Sequence, residues 1–223
     1  MCFSAAGSFA LSGVLAGVGT VAVARNTSKP HRPLAAIPLL FAAQQAAEGI
    51  VWSTFPPSDH DVAHAVATVA FLVVAMVIWP VWVPWSLRQT ERRPGRRRVL
   101  SSLLALGVLV AMGSTLMMMR SPPVAAVAGH SIRYELMAVG NSAVAILLLV
   151  SYLVPTIAPF LVSTMRTARA IGVTLMASLI ATLLVERDAL TSVWCFFAAV
   201  LSIQVLVAIE HVRRAAPSRD PSS

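Results

Sequence analysis

The sequence is poor in charge. Asp, Glu, Lys and Arg make up 12% of its 223 residues, about half the fraction usual in a soluble domain. Lysine is nearly missing, and the single copy, Lys29, lies between apolar runs. A retinal protein, which needs a lysine in its last span, is thereby excluded. No Gly-x-Ser-x-Gly elbow and no phosphate-cradling glycine loop occurs, so neither a serine-hydrolase nor a nucleotide site is indicated. Nor does any polar stretch have the length of a soluble domain.

What fills the chain instead is hydrocarbon: 57% of residues are hydrophobic and the mean hydropathy is +0.79. Seven runs approach the roughly 20 residues needed to cross a hydrocarbon core about 30 Å thick. They fall roughly at 4–24, 34–54, 62–85, 99–119, 136–157, 168–185 and 190–211. The expected fold is all-α, a polytopic seven-transmembrane-helix bundle forming one domain over 1–212, with a disordered cytoplasmic tail at 213–223. The first run is read as a span, because Arg25 and Lys29 follow it and no positive charge precedes it. Gly13 and Gly17 within it form a GxxxG pair, the usual mark of close helix packing.

Charge sets the expected orientation. Loops 25–33, 86–98 and 158–167 and the C-terminal tail share a side and, with Arg169 just past the third loop, hold 14 of the 17 Lys and Arg residues. The other side has only Arg120, Arg133 and Arg187. The positive-inside rule then places the N-terminus outside and the C-terminus in the cytoplasm. The same asymmetry accounts for the net charge of +8 without nucleic acid. The bilayer is the expected partner, with anionic lipid at the Arg-rich loop 92–98.

On that map Glu48 lies about 9 Å inside the outer end of the second run. A carboxylate there needs a partner or a purpose. Gln44, Glu48 and Trp52 are spaced to share one helix face, with Gln45 beside them. His60, His64, His130, Tyr134 and both cysteines, Cys2 and Cys195, fall at the same outer end.

The segments "MCFSAAGSFA", "FAAQQAAEGIVW", "WPVWVPWS", "HSIRYE" and "SVWCFFAAVLS" together resemble a family of bacterial multi-pass membrane proteins of unknown function that open Met-Cys-Phe-Ser-Ala. The resemblance covers nearly the whole chain. It implies a seven-helix protein of the bacterial inner membrane and carries no activity. It draws attention to Cys2, Gln45, Glu48, Trp52, His130, Tyr134, Trp194 and Cys195, and not to His60 and His64.

Three chemistries compete for these residues. Cys2, His130, Cys195 and Glu48 are ligand types for a transition metal (zinc, iron or copper), and His60 with His64 is an alternative pair at i, i+4 spacing. Against that pair stands a solvated helix start, with Asp59 and Asp61 as acidic residues at the helix N-terminus. Cys2 and Cys195 in an oxidising compartment suit a disulfide, structural or redox-active. Gln44, Gln45 and Glu48, with Tyr134, Trp52 and Trp194 at the rim, suit a small polar or cationic ligand. A redox or hydrolytic enzyme and a non-catalytic binder or transporter therefore both remain. Trp79, Trp82 and Trp85 are expected in the interfacial belt at the opposite boundary. Pro80 and Pro84 are expected to end or kink the third helix. Met117, Met118 and Met119 read as packing residues, and span seven holds one histidine, His211, not the pair of the zinc-dependent seven-helix lipid hydrolases.

Overall fold

Ser4 opens the first helix: its backbone is extended and its hydroxyl accepts the Gly7 amide at 3.2 Å, satisfying a first-turn N–H. The computed structural model describes residues 4–58, 61–128, 131–135, 142–185, 194, 197–200 and 202–215. Helix α1 spans Ala5–Arg25. Two short turns, Lys29–His31 and Arg32–Ala35, lead into α2 (Ile37–Ser53). A turn through a cis Phe55–Pro56 bond follows. Then come α3 (Val62–Thr90), α4 (Pro94–Arg120), α5 (Ser142–Val162), α6 (Arg166–Val185) and α7 (Ile203–Ala215).

Among the described residues six helical stretches are long and apolar enough to cross a membrane, and a shorter apolar helix covers Phe197–Glu210. Large apolar side chains point outward along them: Leu109, Met119 and Leu184 are 66%, 77% and 73% exposed. In water such faces would be a liability; against lipid they match the solvent. The core runs between the helices, with Leu15, Leu34, Leu87 and Leu100 fully buried. A Cβ at Gly13 or Gly17 would meet nothing within 4 Å among the described residues, so the GxxxG pair is not a close helix contact there. Close helix contacts lie at other glycines: Gly19 of α1 against Leu39 of α2, and Gly107 of α4 against the Pro80 carbonyl of α3.

The third helix is longer than its prolines suggest. It passes through both and ends at Thr90, leaving only Glu91, Arg92 and Arg93 before α4. The expected loop over 86–98 is thus mostly helix. The irregularity lies before Pro80, where Val73–Ile78 is a π-helical turn. Proline lacks an N–H and its ring crowds the carbonyl four residues back, so a wide turn relieves it. In that turn the Trp79 amide donates to Val74 O. The Ala75 carbonyl would then look to residue 80, which has no N–H. Tyr152 of α5 supplies the missing donor, its hydroxyl giving a 2.8 Å bond to Ala75 O. A buried carbonyl in a hydrocarbon setting is satisfied by the neighbouring helix.

Between α4 and α5 the expected loop contains an antiparallel hairpin, β1 (Val124–Ala128) and β2 (Ser131–Glu135), with Ala125 opposite Tyr134 and Val127 opposite Ile132. Side chains alternate with period two: Ile132 is fully buried and Ala125 nearly so, while Arg133 is exposed. The inward face packs on Val51 of α2 and Ala67 of α3. Strand backbone is tolerated near membrane depth only when protein covers it, and here the helix ends do so.

The opposite end is joined by polar contacts. Arg96 Nη1 donates to Val162 O and Ser163 O at 2.8 and 3.1 Å, closing the last turn of α5. Buried Glu91 accepts the Arg93 amide, and the Thr164 amide and hydroxyl, at 2.9, 2.9 and 3.0 Å. Burial acts to raise the Glu91 pKa. The backbone hydrogen bonds from Arg93, Thr164 and Arg92 and the Thr164 hydroxyl outweigh it, and the carboxyl ends below its ordinary value.

Candidate functional site

Helix α2 carries the polar side chains into the bundle. Gln44, Gln45 and Glu48 are 0%, 1% and 2% exposed. They are not solvated helix-end residues, although Glu48 is only about 8 Å from the α2 terminus. Glutamine in an apolar helix interior costs free energy unless both ends of its amide are paired. The partners fix the amide orientations. Trp79 Nε1 can only donate, so the Gln44 atom 2.9 Å from it is the oxygen. A Gln45 nitrogen donates to Glu48 Oε2 at 3.2 Å. Each amide therefore has one group left over, Gln44 Nε2 and Gln45 Oε1, and neither has a partner.

Three more buried atoms share this condition among the described residues: Trp52 Nε1, Thr68 Oγ1 and Ser8 Oγ. Thr68 lies about 9 Å along α3 from Val62, the depth of Glu48 on α2. Ser8 is one turn before Ser12, whose hydroxyl donates to Ala42 O at 2.8 Å. Its neighbour Phe9 is close against Gly49. The unsatisfied atoms thus come from α1, α2 and α3 in the half of the bundle nearer the hairpin, spread over about 12 Å along α2 from Gln44 to Trp52. Two are N–H donors, one is a carbonyl acceptor and two are hydroxyls able to act either way.

Tyr134 descends from the hairpin into this half. Its ring stacks on Phe71 with centroids 4.4 Å apart and planes 12° apart. It packs against the cluster of Ala47, Phe71, Leu72 and Ala75. Trp52 meets Phe55 edge-on at 6.3 Å. Trp194 belongs elsewhere: it packs with Ile157 and Leu179, meets Tyr152 edge-on and donates weakly to Leu175 O at 3.5 Å.

His64 has a structural role that explains its position. Its amide donates to Asp61 Oδ1 at 2.9 Å, the helix N-cap. Its Nδ1 is hydrogen-bonded to Thr54 Oγ1 at 2.8 Å, and Phe55 sits edge-on to its ring. The alternative metal pair thus has one member tied into the turn between α2 and α3. Cys2, His60, His130 and Cys195 lie outside the described residues. Among the described residues no group of three His, Cys, Asp or Glu side chains is placed to hold a metal ion.

Sequence reasoning missed Thr68, Ser8, Trp79 and Tyr152. Trp79 was expected at the interface, yet it is buried, stacks on Phe41 at 4.2 Å and bonds Gln44. Counting from the start of α3 puts it about 25 Å along a helix of about 43 Å, which is interior. No such signal singles out Thr68 or Ser8, since a lone hydroxyl in an apolar helix normally bonds its own backbone.

Trp79 also lines a partly open cavity of about 50 Å³ bordered by α2, α3, α5, α6 and the last apolar helix. Phe41, Tyr152, Phe160, Trp194 and Ala198 are among its walls.

No curated protein and no solved structure is measurably similar to this chain. Residues 1–221 match one family model, and the chain belongs to the family of unknown function designated DUF6629.

Proposed function

We propose that this protein is a non-catalytic binder of a small hydrogen-bonding solute, held between α1, α2 and α3 beneath the hairpin. In this reading it sits in the cytoplasmic membrane of a bacterium, hairpin end outward and arginine end inward. The exposed Arg92, Arg93, Arg97 and Arg98 meet anionic lipid headgroups. Arg88 and Arg96 are engaged within the protein, with Ser101 and with the end of α5.

The observation that carries the reading is the set of five buried side-chain atoms without partners. Leaving one such group unsatisfied costs about 1–3 kcal/mol. Buried polar groups in proteins are nearly always paired, and a cluster of exceptions is the mark of a site that something else completes. The cluster offers both donors and acceptors, which suits an uncharged polar group such as an amide or a hydroxyl. It needs neither cysteine and no metal, so the reading stands apart from the metal and thiol chemistries that Cys2, His130 and Cys195 would supply.

Thr68→Val tests it, because valine keeps the shape and removes the hydroxyl. The ligand-free variant in detergent should melt about 2–4 °C higher than the parent, the shift expected for relief of about 1 kcal/mol in a chain of this size. Acetamide, which stabilises the parent in this reading, should stabilise the variant less. A lower Tm for ligand-free Thr68→Val, with acetamide acting equally on both proteins, would show that the hydroxyl serves the fold alone and sink the proposal.

A further inference from the structure

One face of α2 changes character along its length. Ile37, Phe41, Gln44, Glu48 and Trp52 follow each other at steps of four, three, four and four residues, which keeps them on one side of a helix. The first two are apolar and line the cavity. The next two are polar: Gln44 belongs to the unsatisfied group, and Glu48 accepts from Gln45. Trp79 stands at the junction: its ring stacks on Phe41 and lines the cavity, and its Nε1 donates to Gln44 Oε1.

The cavity and the polar group call for opposite chemistry. A cavity of about 50 Å³ has room for roughly three waters at about 15 Å³ each. Yet the polar hydrogens on its wall are already used. The Tyr152 hydroxyl donates to Ala75 O, Thr156 to Tyr152 O and Ser202 to Ala199 O, while Trp79 is bound to Gln44. Such a space holds hydrocarbon in preference to water. Gln44 and Gln45, one turn along α2 from Phe41, want an acceptor for Gln44 Nε2 and a donor for Gln45 Oε1.

We propose that the two are parts of one site for an uncharged amphiphile, a chain-bearing amide or alcohol whose head pairs with Gln44 and Gln45 while its hydrocarbon chain passes Trp79 into the cavity. This rests on the polar-solute reading above and adds the tail to it.

Primary alkylamides from acetamide to hexanamide are the probes, titrated into the full-length detergent-purified protein and followed by indole fluorescence. Affinity, referred to the amide free in water, should rise about fourfold per added methylene until the cavity is full. Ala198→Leu and Val83→Phe fill the cavity from different helices. Either should abolish the rise and leave acetamide binding within about threefold of the parent. 6-Bromohexanamide should quench the parent's indole emission, a measurement that needs no variant. Equal affinity along the series, an undiminished rise in a filled and folded variant, or no quenching by the bromo compound would each overturn the tail while leaving the polar site intact. Failure of every amide to bind the parent would overturn the polar reading, and this inference with it.

Discussion

Glu91 shows how a single carboxylate can be buried at low cost when backbone amides surround it. It ties the short link between α3 and α4 to the segment before α6 through Thr164. Its pKa is held below the ordinary carboxylate value, so the folded state binds the proton less readily than the unfolded chain. The stabilisation is therefore present at neutral pH and is lost as pH falls through the ordinary value near 4.5 and below it. Glu91→Gln should cost about 2 kcal/mol at pH 7, the scale of hydrogen bonds to a charged group. Thermal melts from pH 7 downward should show the gap between parent and variant closing toward pH 4. A gap independent of pH would mean that the charge contributes nothing. The sequence did not single out this residue, since a glutamate beside two arginines reads as a solvated loop. Its burial depends on Thr164, 73 positions away. Glu48 is the contrasting case, because a carboxylate within an apolar run is visible to anyone counting residues.

Helix contacts make a sharper claim about glycine than the GxxxG pattern does. A Cβ on Gly107 would overlap the Pro80 carbonyl, a backbone atom that cannot swing aside. Gly107→Ala should therefore force α3 and α4 apart at a cost of about 1–3 kcal/mol. Gly113→Ala on the same helix, where nothing lies within 4 Å, should be neutral or slightly stabilising. Thermal unfolding of the two variants side by side tests the pair, and equal Tm values would refute it. Membrane-length helices were legible in the sequence because hydrocarbon length is a local property. The hairpin was not, because Val124–Ala128 is apolar without a strict alternation and its strand pairing needs a partner three to eleven residues on. The ends of α3 and α4 were misjudged for a related reason: arginines and prolines look like loop residues, yet both helices continue through them.

For the whole molecule, the two ends are closed by different forces. Hydrogen bonds from Arg96 and to Glu91 join the loops at one end. At the other, the hairpin is seated by Ile132, Ala125 and the stacked Tyr134. The proposed orientation is tested with Arg97→Cys in a protein lacking Cys2 and Cys195. That exposed position should resist a membrane-impermeant thiol reagent in intact cells and react after lysis. Labelling of intact cells would invert the topology. Helix α3 spans the distance between the two ends, and its wide turn now takes on a further meaning. Phe71, which meets the hairpin, and Trp79, which meets Gln44, are eight residues apart, about 80° out of phase in a regular helix. The π-helical turn at Val73–Ile78 takes up one residue and brings them into phase. The helix thus carries one residue more than its span requires, and that surplus works as a phase shifter: it lets the hairpin and the polar face of α2 read the same side of α3.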